Sequence, residues 1–491
     1  MVVSGLLAGG CGENDDNGEG GGGSAGAGRG GAGGQGGVNA AGQGGAVGGA
    51  GGQGAGANGQ GSASGGGLDP AFGERGLLFV EGFPLPSDPE ELSADPQDVT
   101  VGPDGAIYAL GGFPDAVVVR LSADGIADPA FGRQGVAKLE VAQLSALAVQ
   151  LQPDGKIVVA GSTPDAGFAS RPTFVRLNPD GSRDGTFGDG GVAVVEGLPF
   201  RASPFSLALQ GDRIIAAGPS GPRDGDSLEV DGFVLRLGPD GALDPTFAAP
   251  KGYHVYHSSD GSEDVIEDWF VEVSVRADGA IVVGGYGGDP TRAAAERDSD
   301  LLVALYGADG TPAASFGRSG VVYLDHAPAA HPDYRDNVLT AMAVEPGGKV
   351  VLVGSSANGV DSDASVVRLS PDGSLDPSFG QNGTLDLDLD GGDLPVDLVT
   401  LADGSLVLAT SVDGPEPERL KRPALVALGP GGALEPSFGE NGVLRIDAGG
   451  ADVAGFYART LDRQPDGKLI VGCYSALAGT NRPMLARVNP R

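Results

Sequence analysis

Four aspartates in the segment DLDLDGGDLPVD (386–397) have the spacing of a calcium-binding loop. Asp386, Asp388 and Asp390 match the start of a DxDxDG loop, and Asp397 falls at its twelfth position. The leucines that alternate with these aspartates are equally typical of a half-buried β-strand. Same-face residues of a strand lie about 6.6 Å apart, too far for three carboxylates to share one ion. The segment must curl for calcium to bind, and both interpretations stay open.

The four histidines of the chain fall in two polar segments. They are His254, His257, His326 and His331. Histidine is the commonest ligand of transition metals, which would allow a metal site. No cysteine and no HxxxH spacing supports such a site, so the alternative is a set of exposed loop residues.

The rest of the chain offers little chemistry. It contains no Ser-His-Asp spacing, phosphate-binding loop or dinucleotide fingerprint. Cys473 ends an apolar run and is predicted to be a buried small hydrophobe. The single tryptophan, Trp269, either anchors a long loop or faces a ligand.

The elements that would position these residues come from a sequence repeated seven times. Each copy begins with a turn of the type Asp-Pro-x-Phe-Gly and continues with two β-branched runs around a Pro-Asp-Gly turn, as in QPDGKIVVAG. A third run of the type VxRL completes the copy. The turn phenylalanines, 56 to 69 residues apart, are Phe72, Phe131, Phe187, Phe247, Phe316, Phe379 and Phe438.

Each copy predicts four β-strands. Strand A follows the FGxxG segment, strands B and C flank the Pro-Asp-Gly turn, and strand D is the VxRL run. No helical period of apolar residues runs through them. Seven such four-stranded units predict an all-β fold, a seven-bladed β-propeller over residues 68–491.

The order of strands within a blade determines how the ring closes. If B is innermost, strand A of the next copy becomes the outer strand of the blade. The first strand, Gly76–Val80, then has no blade of its own, and the last copy lacks an outer strand. We therefore predict that Gly76–Val80 pairs with Met484–Val488. In the alternative phase A is innermost in its own copy, and residues 76–80 pair with 98–103.

An arginine recurs in strand D of five copies. A position repeated in this way predicts a structural pairing with a turn aspartate rather than a ligand clamp. The arginines are Arg120, Arg176, Arg236, Arg368 and Arg487, replaced by Ala304 and Ala427 in the other two copies.

The motifs LDPSFG, QPDGKIVVAG and VRLNPDG resemble the delta-60 repeat, a bacterial β-propeller repeat of unknown function. The resemblance covers residues 68–491 in all seven copies. Copies 3, 4 and 5 depart from the turn motif, with RDGTFG, LDPTFA and PAASFG. The resemblance implies an architecture and supplies no catalytic residues.

The N-terminal segment is of a different kind. Residues 1–11 resemble the end of a truncated lipoprotein-type signal, which would make Cys11 the lipid-attachment residue if the true start lies upstream. The alternative is a disordered N-terminus with an unrelated cysteine. Residues 12–67 are rich in Gly and Ala, cannot form a core and are predicted to be a disordered tether. We expect a lipid-anchored location in the cell envelope or outside the cell.

The charge of the chain limits its partners. With 65 acidic and 31 basic residues the formal net charge is −34, which argues against nucleic acid as a partner. No apolar run approaches the ~20 residues that span a bilayer, so membrane contact is expected through the lipid anchor only. We expect a monomer.

The two faces of the predicted propeller differ. The Pro-Asp-Gly turns and the D-to-A connections share one face and hardly change in length, and we call it the fixed face. The A-to-B and C-to-D connections share the other face, vary greatly, and form the variable face. Loops on a rigid scaffold carry binding, so a protein or glycan ligand is expected there.

Two functions fit this sequence. The first is a surface-tethered, non-catalytic binding or scaffold module with no certain cofactor, calcium being the candidate. The second is a propeller hydrolase or lyase acting on sugars or lactones with a metal at the central channel. Propellers host both kinds, so the fold alone does not decide between them.

Overall fold

The described residues form seven four-stranded antiparallel sheets arranged in a ring, and no helix. The predicted seven-bladed β-propeller is confirmed. Among these residues there is accordingly no helix of the length and apolarity that crossing a membrane requires. The structure, a computed structural model, describes residues 66–83, 95–164, 170–196, 198, 200–222, 230–258, 266–292, 299–325, 337–357, 362–389, 391–414, 420–447, 453–477 and 480–490.

The strands are short and are numbered here in chain order. The first fifteen are β1 (Gly67–Leu68), β2 (Leu77–Phe79), β3 (Pro96–Val101), β4 (Ile107–Gly111), β5 (Val117–Leu121), β6 (Val136–Lys138), β7 (Ser145–Leu151), β8 (Ile157–Pro164), β9 (Ser170–Leu177), β10 (Val192–Val194), β11 (Phe200–Ala202), β12 (Ser206–Gln210), β13 (Arg213–Pro222), β14 (Asp231–Leu237) and β15 (Tyr253–Tyr256). The others are β16 (Asp268–Val275), β17 (Ile281–Gly287), β18 (Asp300–Tyr306), β19 (Val321–Leu324), β20 (Asn337–Val344), β21 (Val350–Ala357), β22 (Ser362–Leu369), β23 (Thr384–Leu387), β24 (Leu394–Thr400), β25 (Leu406–Val412), β26 (Arg422–Leu428), β27 (Val443–Arg445), β28 (Val453–Arg463), β29 (Leu469–Leu477) and β30 (Thr480–Asn489).

Each blade combines strands B, C and D of one copy with strand A of the next. Blade 1, for example, has the order β3-β4-β5-β6, in which β6 is strand A of the second copy. Two short strands continue existing ones: β1 pairs with β30 beside β2 in blade 7, and β11 pairs with β13 beside β12 in blade 3. The inner strands of blades 1 to 7, which surround the channel, are β3, β7, β12, β16, β20, β24 and β28.

The first strands of the chain complete the last blade. β2 pairs with β30, with Leu77 opposite Ala486 and Phe79 opposite Met484. β1 adds a second pairing that the sequence did not indicate, between residues 67–68 and 488–489. The predicted closure is confirmed. The alternative pairing of residues 76–80 with 98–103 is wrong, because β3 pairs with β4.

The hydrophobic core lies between neighbouring blades. Seven clusters of buried side chains each draw on two adjacent blades. The phenylalanine of every Asp-Pro-x-Phe-Gly turn is at most 1% exposed and belongs to one of these clusters. In the divergent copies 3, 4 and 5 the N–H groups of Phe187, Phe247 and Phe316 still donate to the carbonyl three residues earlier. The turn therefore survives its sequence changes.

The repeated arginine pairs with a turn aspartate, as predicted. Arg176 Nε lies 2.7 Å from Asp184 Oδ2, and the guanidinium lies 4.4 Å from the centre of the Phe187 ring. Its Nη1 donates to the Pro239 carbonyl oxygen of the next blade at 2.7 Å. The same pairing occurs in Arg120–Asp128, Arg236–Asp244, Arg368–Asp376 and Arg487–Asp69.

This arginine clamp changes the ionisation of its aspartate. Burial on its own raises the pKa of Asp184. Hydrogen bonds from Thr186, Lys156 and Arg176 outweigh burial and hold that pKa well below its usual range. The clamp therefore contributes stability above the unfolded pKa of 3.8 and loses it as the pH falls below that value.

Blade 4 lacks both partners of the clamp. The strand register places Leu305 at the arginine position, so the assignment of Ala304 from the sequence is wrong by one residue. Ala313 replaces the aspartate. Arg276 of the Pro-Asp-Gly turn occupies part of the space, with its guanidinium 5.7 Å from the centre of the Phe316 ring. Its Nη1 donates to the Pro371 carbonyl oxygen of blade 5 at 3.2 Å. The connection between blades is thus kept by a different arginine.

Neighbouring blades also meet through their backbones on the fixed face. The Gly132 N–H donates to the Asp180 carbonyl oxygen at 2.7 Å. Gly181, next to it, has a φ of +83°, and a Cβ there would lie 2.8 Å from the Gly132 nitrogen. Only glycine permits this approach, which explains the invariant Gly of the NPDG-type turn in this chain.

Deleting residues 68–80 should destabilise the whole propeller. The deletion removes the outer strand of blade 7 and the Phe72 side chain that lies between blades 7 and 1. We expect one cooperative unfolding transition, lower by about 5–10 °C, in differential scanning calorimetry. Deletion of residues 20–60 is the control and should leave the transition unchanged. Local fraying below an unshifted main transition would contradict the role given to the closing strand.

Candidate functional site

The inner strands are interrupted at one height of the channel. In blades 1, 2, 4, 5, 6 and 7 the register shifts by one residue, which marks a β-bulge. In blade 3 the break between β11 and β12 lies at the same height. We call the residues that follow the interruption the collar: Asp98, Ala148, Ser206, Glu272, Ala341, Asp397 and Thr460.

Polar collar residues bind the backbone of the next blade. A bulge leaves a backbone N–H without its ladder partner. Asp98 Oδ2 accepts from the Val149 N–H at 2.8 Å, and Asp397 Oδ2 accepts from the Leu461 N–H at 2.6 Å. Ser206 Oγ accepts from the Val273 N–H at 3.2 Å. The collar therefore joins the inner strands of successive blades.

The hydroxyl groups of two collar residues, Ser206 and Thr460, contact the carboxylates of the other polar collar residues. Ser206 Oγ donates to Glu272 Oε2 at 2.8 Å. Thr460 Oγ1 lies 3.3 Å from Asp397 Oδ2 and 3.3 Å from Asp98 Oδ1, between the two carboxylates. The polar side chains of blades 1, 6 and 7 thus form one continuous hydrogen-bonded arc.

The three collar acids are half-buried and lie on the inner strands that surround the channel. Burial raises the pKa of Glu272 to about 8, and the negative charges of Asp397 and Asp98 add to the effect. Burial likewise raises the pKa of Asp98 and of Asp397 to about 7. Hydrogen bonds from backbone N–H groups oppose both shifts without cancelling them. The collar thus holds protons near neutral pH.

A fourth acid lies two residues beyond the collar towards the fixed face. Asp462 Oδ2 accepts from the Val101 N–H of blade 1 at 2.7 Å. Burial raises the pKa of Asp462 to about 6, while hydrogen bonds from the Arg463 and Val101 N–H groups lower it. Asp462 extends the link between blades 7 and 1 along the channel.

Two pairs of aromatic rings lie on the variable-face side of the collar. Trp269 stacks on Tyr286 in blade 4, with 6.0 Å between ring centres and 8° between ring planes. Tyr457 stacks on Tyr474 in blade 7 at 5.0 Å and 11°. Trp269 and Tyr457 each lie three residues before the collar residue of their strand. Trp269 Nε1 donates to Glu267 Oε2 at 3.3 Å.

The four aspartates of the predicted calcium loop are not brought together where the structure describes them. Asp386 lies on β23, the outer strand of blade 5, where Leu387 is buried and Asp386 is exposed. Asp397 lies on β24, the inner strand of blade 6. Asp388 is exposed beyond β23, and Asp390 lies outside the described residues. The strand interpretation fits residues 384–387, and calcium binding itself stays a prediction.

The described residues contain no group of three or more His, Cys, Asp or Glu side chains arranged to hold a metal ion. His254 is half-buried beside Tyr306, with ring centres 5.2 Å apart. His257 Nδ1 lies 2.8 Å from Asp231 Oδ1. His326, His331 and Cys11 lie outside the described residues. Cys473 is fully buried, and burial raises the pKa of its thiol.

Sequence reasoning missed the collar, although a signal exists. In every copy the collar residue precedes the turn Asp, or Gly347 in copy 5, by six residues. Asp98 and Asp104, or Asp397 and Asp403, are examples. The residue type changes from copy to copy, so the position does not stand out as a motif. An acidic residue in an otherwise apolar strand was the sequence feature that could have indicated the collar.

Four segments of the chain match the family described as "Domain of unknown function (DUF5122) beta-propeller". They are residues 152–187, 212–247, 346–379 and 464–490. The first three begin at a Pro-Asp-Gly turn or its equivalent and end at the next turn phenylalanine. The resemblance to a β-propeller repeat of unknown function that was inferred from the motifs is confirmed in these segments.

Solved structures are similar to this chain at low identity. A protein of unknown function from Dyadobacter fermentans DSM 18053 is 14% identical, with a TM-score of 0.43, covering 71% of this chain and 95% of its own. The polysaccharide lyase Uly1 is 12% identical, with a TM-score of 0.48 and coverages of 86% and 95%. A glucose dehydrogenase is 13% identical, with a TM-score of 0.37 and coverages of 84% and 98%. No curated protein matches the chain.

The substitution Glu272→Gln should make the propeller less sensitive to alkaline pH. The raised pKa of Glu272 means that its contribution to stability is complete below the unfolded pKa of 4.5 and is lost as the pH rises through about 8. Glutamine keeps a partner for Ser206 and does not titrate. Relative to wild type, the free energy of unfolding should rise by about 1–3 kcal/mol between about pH 5 and pH 9.

Urea unfolding at each pH measures this difference. Glu440→Gln, on an exposed turn of the fixed face, is the matched control and should show no such trend. An offset between Glu272→Gln and wild type that is constant with pH would refute the proton-binding role of the collar.

Proposed function

We propose that this chain is a surface-tethered, non-catalytic binding or scaffold module. Its ligand, a protein or a glycan, would enter at the variable-face mouth of the channel. The observation that carries the proposal is the contrast between the two faces. Polar groups of the fixed face are engaged in holding blades together, whereas the mouth carries residues that differ from blade to blade.

The fixed face is occupied by contacts between blades. Gln210 Nε2 donates to the Gly279 and Ala308 carbonyl oxygens at 2.7 and 3.2 Å. Gln464 Nε2 donates in the same way to Gly105 and Ala123, closing the ring from blade 7 to blade 1. These groups are used by the scaffold itself, which favours the variable face as the place for a ligand.

The position of the first described residues supports the same choice of face. The carbonyl oxygen of Gly66 accepts from the Gly439 N–H at 3.2 Å, in a turn of the fixed face. The chain thus enters the propeller from the fixed face. The first described residues therefore lie on the fixed face and leave the variable face open to a ligand.

The alternative is a propeller hydrolase or lyase acting on sugars or lactones with a metal at the central channel. The collar would be the place for such chemistry, but its acids are engaged by the fold. Asp98 and Asp397 each accept backbone N–H groups at both carboxylate oxygens. This bonding favours binding over metal-assisted catalysis. Calcium is the one cofactor that we propose as a candidate.

Membrane attachment through Cys11 is tested by Cys11→Ala in the chain with a complete signal. Without the thiol no lipid can be attached, so the protein should move from the membrane fraction to the soluble fraction in a cell fractionation. Cys473→Ala is the matched control, because the Cys473 thiol is buried in the propeller and is not a lipid-attachment site. The Cys473→Ala protein should stay in the membrane fraction. Membrane association that survives Cys11→Ala would exclude this anchor.

Blocking each face in turn tests where ligand binds. In the Cys11→Ala protein, Glu267→Cys at the mouth and Ala433→Cys on the fixed face each accept a bulky maleimide. Retention on immobilised polysaccharides, peptidoglycan or peptides should be lost only when position 267 is modified. Loss on modification of position 433 alone would place binding on the fixed face and contradict the proposal.

A further inference from the structure

The aromatic pairs are additions to the repeat. The residue three before the collar and its partner on the second strand are Ser145 and Ser162 in blade 2, and Val338 and Ser355 in blade 5. Leu394 and Ser411 occupy these places in blade 6. Blades 2, 5 and 6 therefore fold with small or aliphatic residues at these two positions. Paired aromatic rings in blades 4 and 7 alone indicate a role beyond packing.

The rings combine apolar surface with polar groups at the mouth. All four aromatic side chains are half-buried rather than buried. Burial raises the pKa of Tyr286 and of Tyr474 to about 12, so both hydroxyls stay protonated and able to donate. Arg459 lies 5.4 Å from the centre of the Tyr474 ring. Such surfaces suit ligands with flat apolar faces bordered by hydroxyl groups.

The two pairs lie nearly opposite each other across the channel. Blades 4 and 7 are separated by two blades on one side and three on the other. A compact ligand would reach one pair, whereas an extended chain crossing the mouth would reach both. Two stacking points on one rigid ring therefore favour a polymer over a monomer.

The charge of the molecule restricts the polymer. The formal net charge of the chain is −34. A polyuronate or a sulfated chain would be repelled. A β-linked chain of uncharged pyranoses presents C–H faces that stack on aromatic rings and hydroxyl groups that bind the polar rim.

We propose that an uncharged, β-linked polysaccharide lies across the variable-face mouth and stacks on the Trp269–Tyr286 and Tyr457–Tyr474 pairs. This inference rests on the proposed function and names its ligand class. The single tryptophan of the chain is part of the site, so its fluorescence reports occupancy directly.

The test titrates the full chain carrying Cys11→Ala with cellohexaose and chitohexaose. A neutral hexasaccharide should change the fluorescence of Trp269 and give heat in calorimetry, whereas hexagalacturonate should do neither. Trp269→Ala and Tyr457→Ala should each weaken binding by about tenfold or more. Trp269→Phe, which keeps a ring, should stay within about threefold of wild type.

Val338→Ala, at the equivalent place in blade 5, is the matched control and should bind as wild type does. Equal thermal transitions of the variants verify folding. Absence of hexasaccharide binding, preference for hexagalacturonate, or binding unaffected by Trp269→Ala and Tyr457→Ala overturns the inference. If immobilised peptides bind and only modification at position 267 blocks them, the ligand class is wrong and the proposed function stands. Blocking by modification at position 433 alone would overturn both.

Discussion

The structure depends on the requirement that a ring of blades close on itself. Every interface between blades has the same hydrophobic construction, so an open ring would expose two such surfaces at once. The chain meets this requirement by giving its first strand to its last blade. Asp69 and Phe72 then provide for Arg487 the same two partners that later turns provide within the ring. The ring is thus closed by the same contacts that join the other blades.

The arginine clamp explains how the repeats tolerate divergence. A buried ion pair adds little net stability, but a single partner left behind is costly because its charge stays buried and unpaired. Blade 4 avoids that cost by lacking both partners, with Leu305 and Ala313 in their places. Blade 6 keeps Glu435 without an arginine, and Ser437 Oγ donates to this carboxylate. Blade 4 thus loses the pair together, whereas blade 6 loses the arginine alone.

Much of this fold can be predicted from the sequence, because each repeat contains recognisable β-branched strands and turn motifs. The closing strand and the Arg–Asp pairing could be predicted from counting strands and from a position that recurs. The collar was not predicted, because a β-bulge decides which side chains share one height. The position six residues before the turn is occupied by a different residue type in most copies. Asp397 shows the difference. Its spacing from Asp386 fits a calcium loop, yet the fold places the two on different blades.

The closing strand also determines how the ring would bear mechanical load. Force applied through the chain before Gly66 acts first on the short pairing of β1 with β30 and on the bond to Gly439. Phe72 comes next, and it is fully buried between blades 7 and 1. β2 can be peeled away only after that ring has left its cluster. The residue that fills the last interface therefore acts as the stop that keeps tension from opening the propeller.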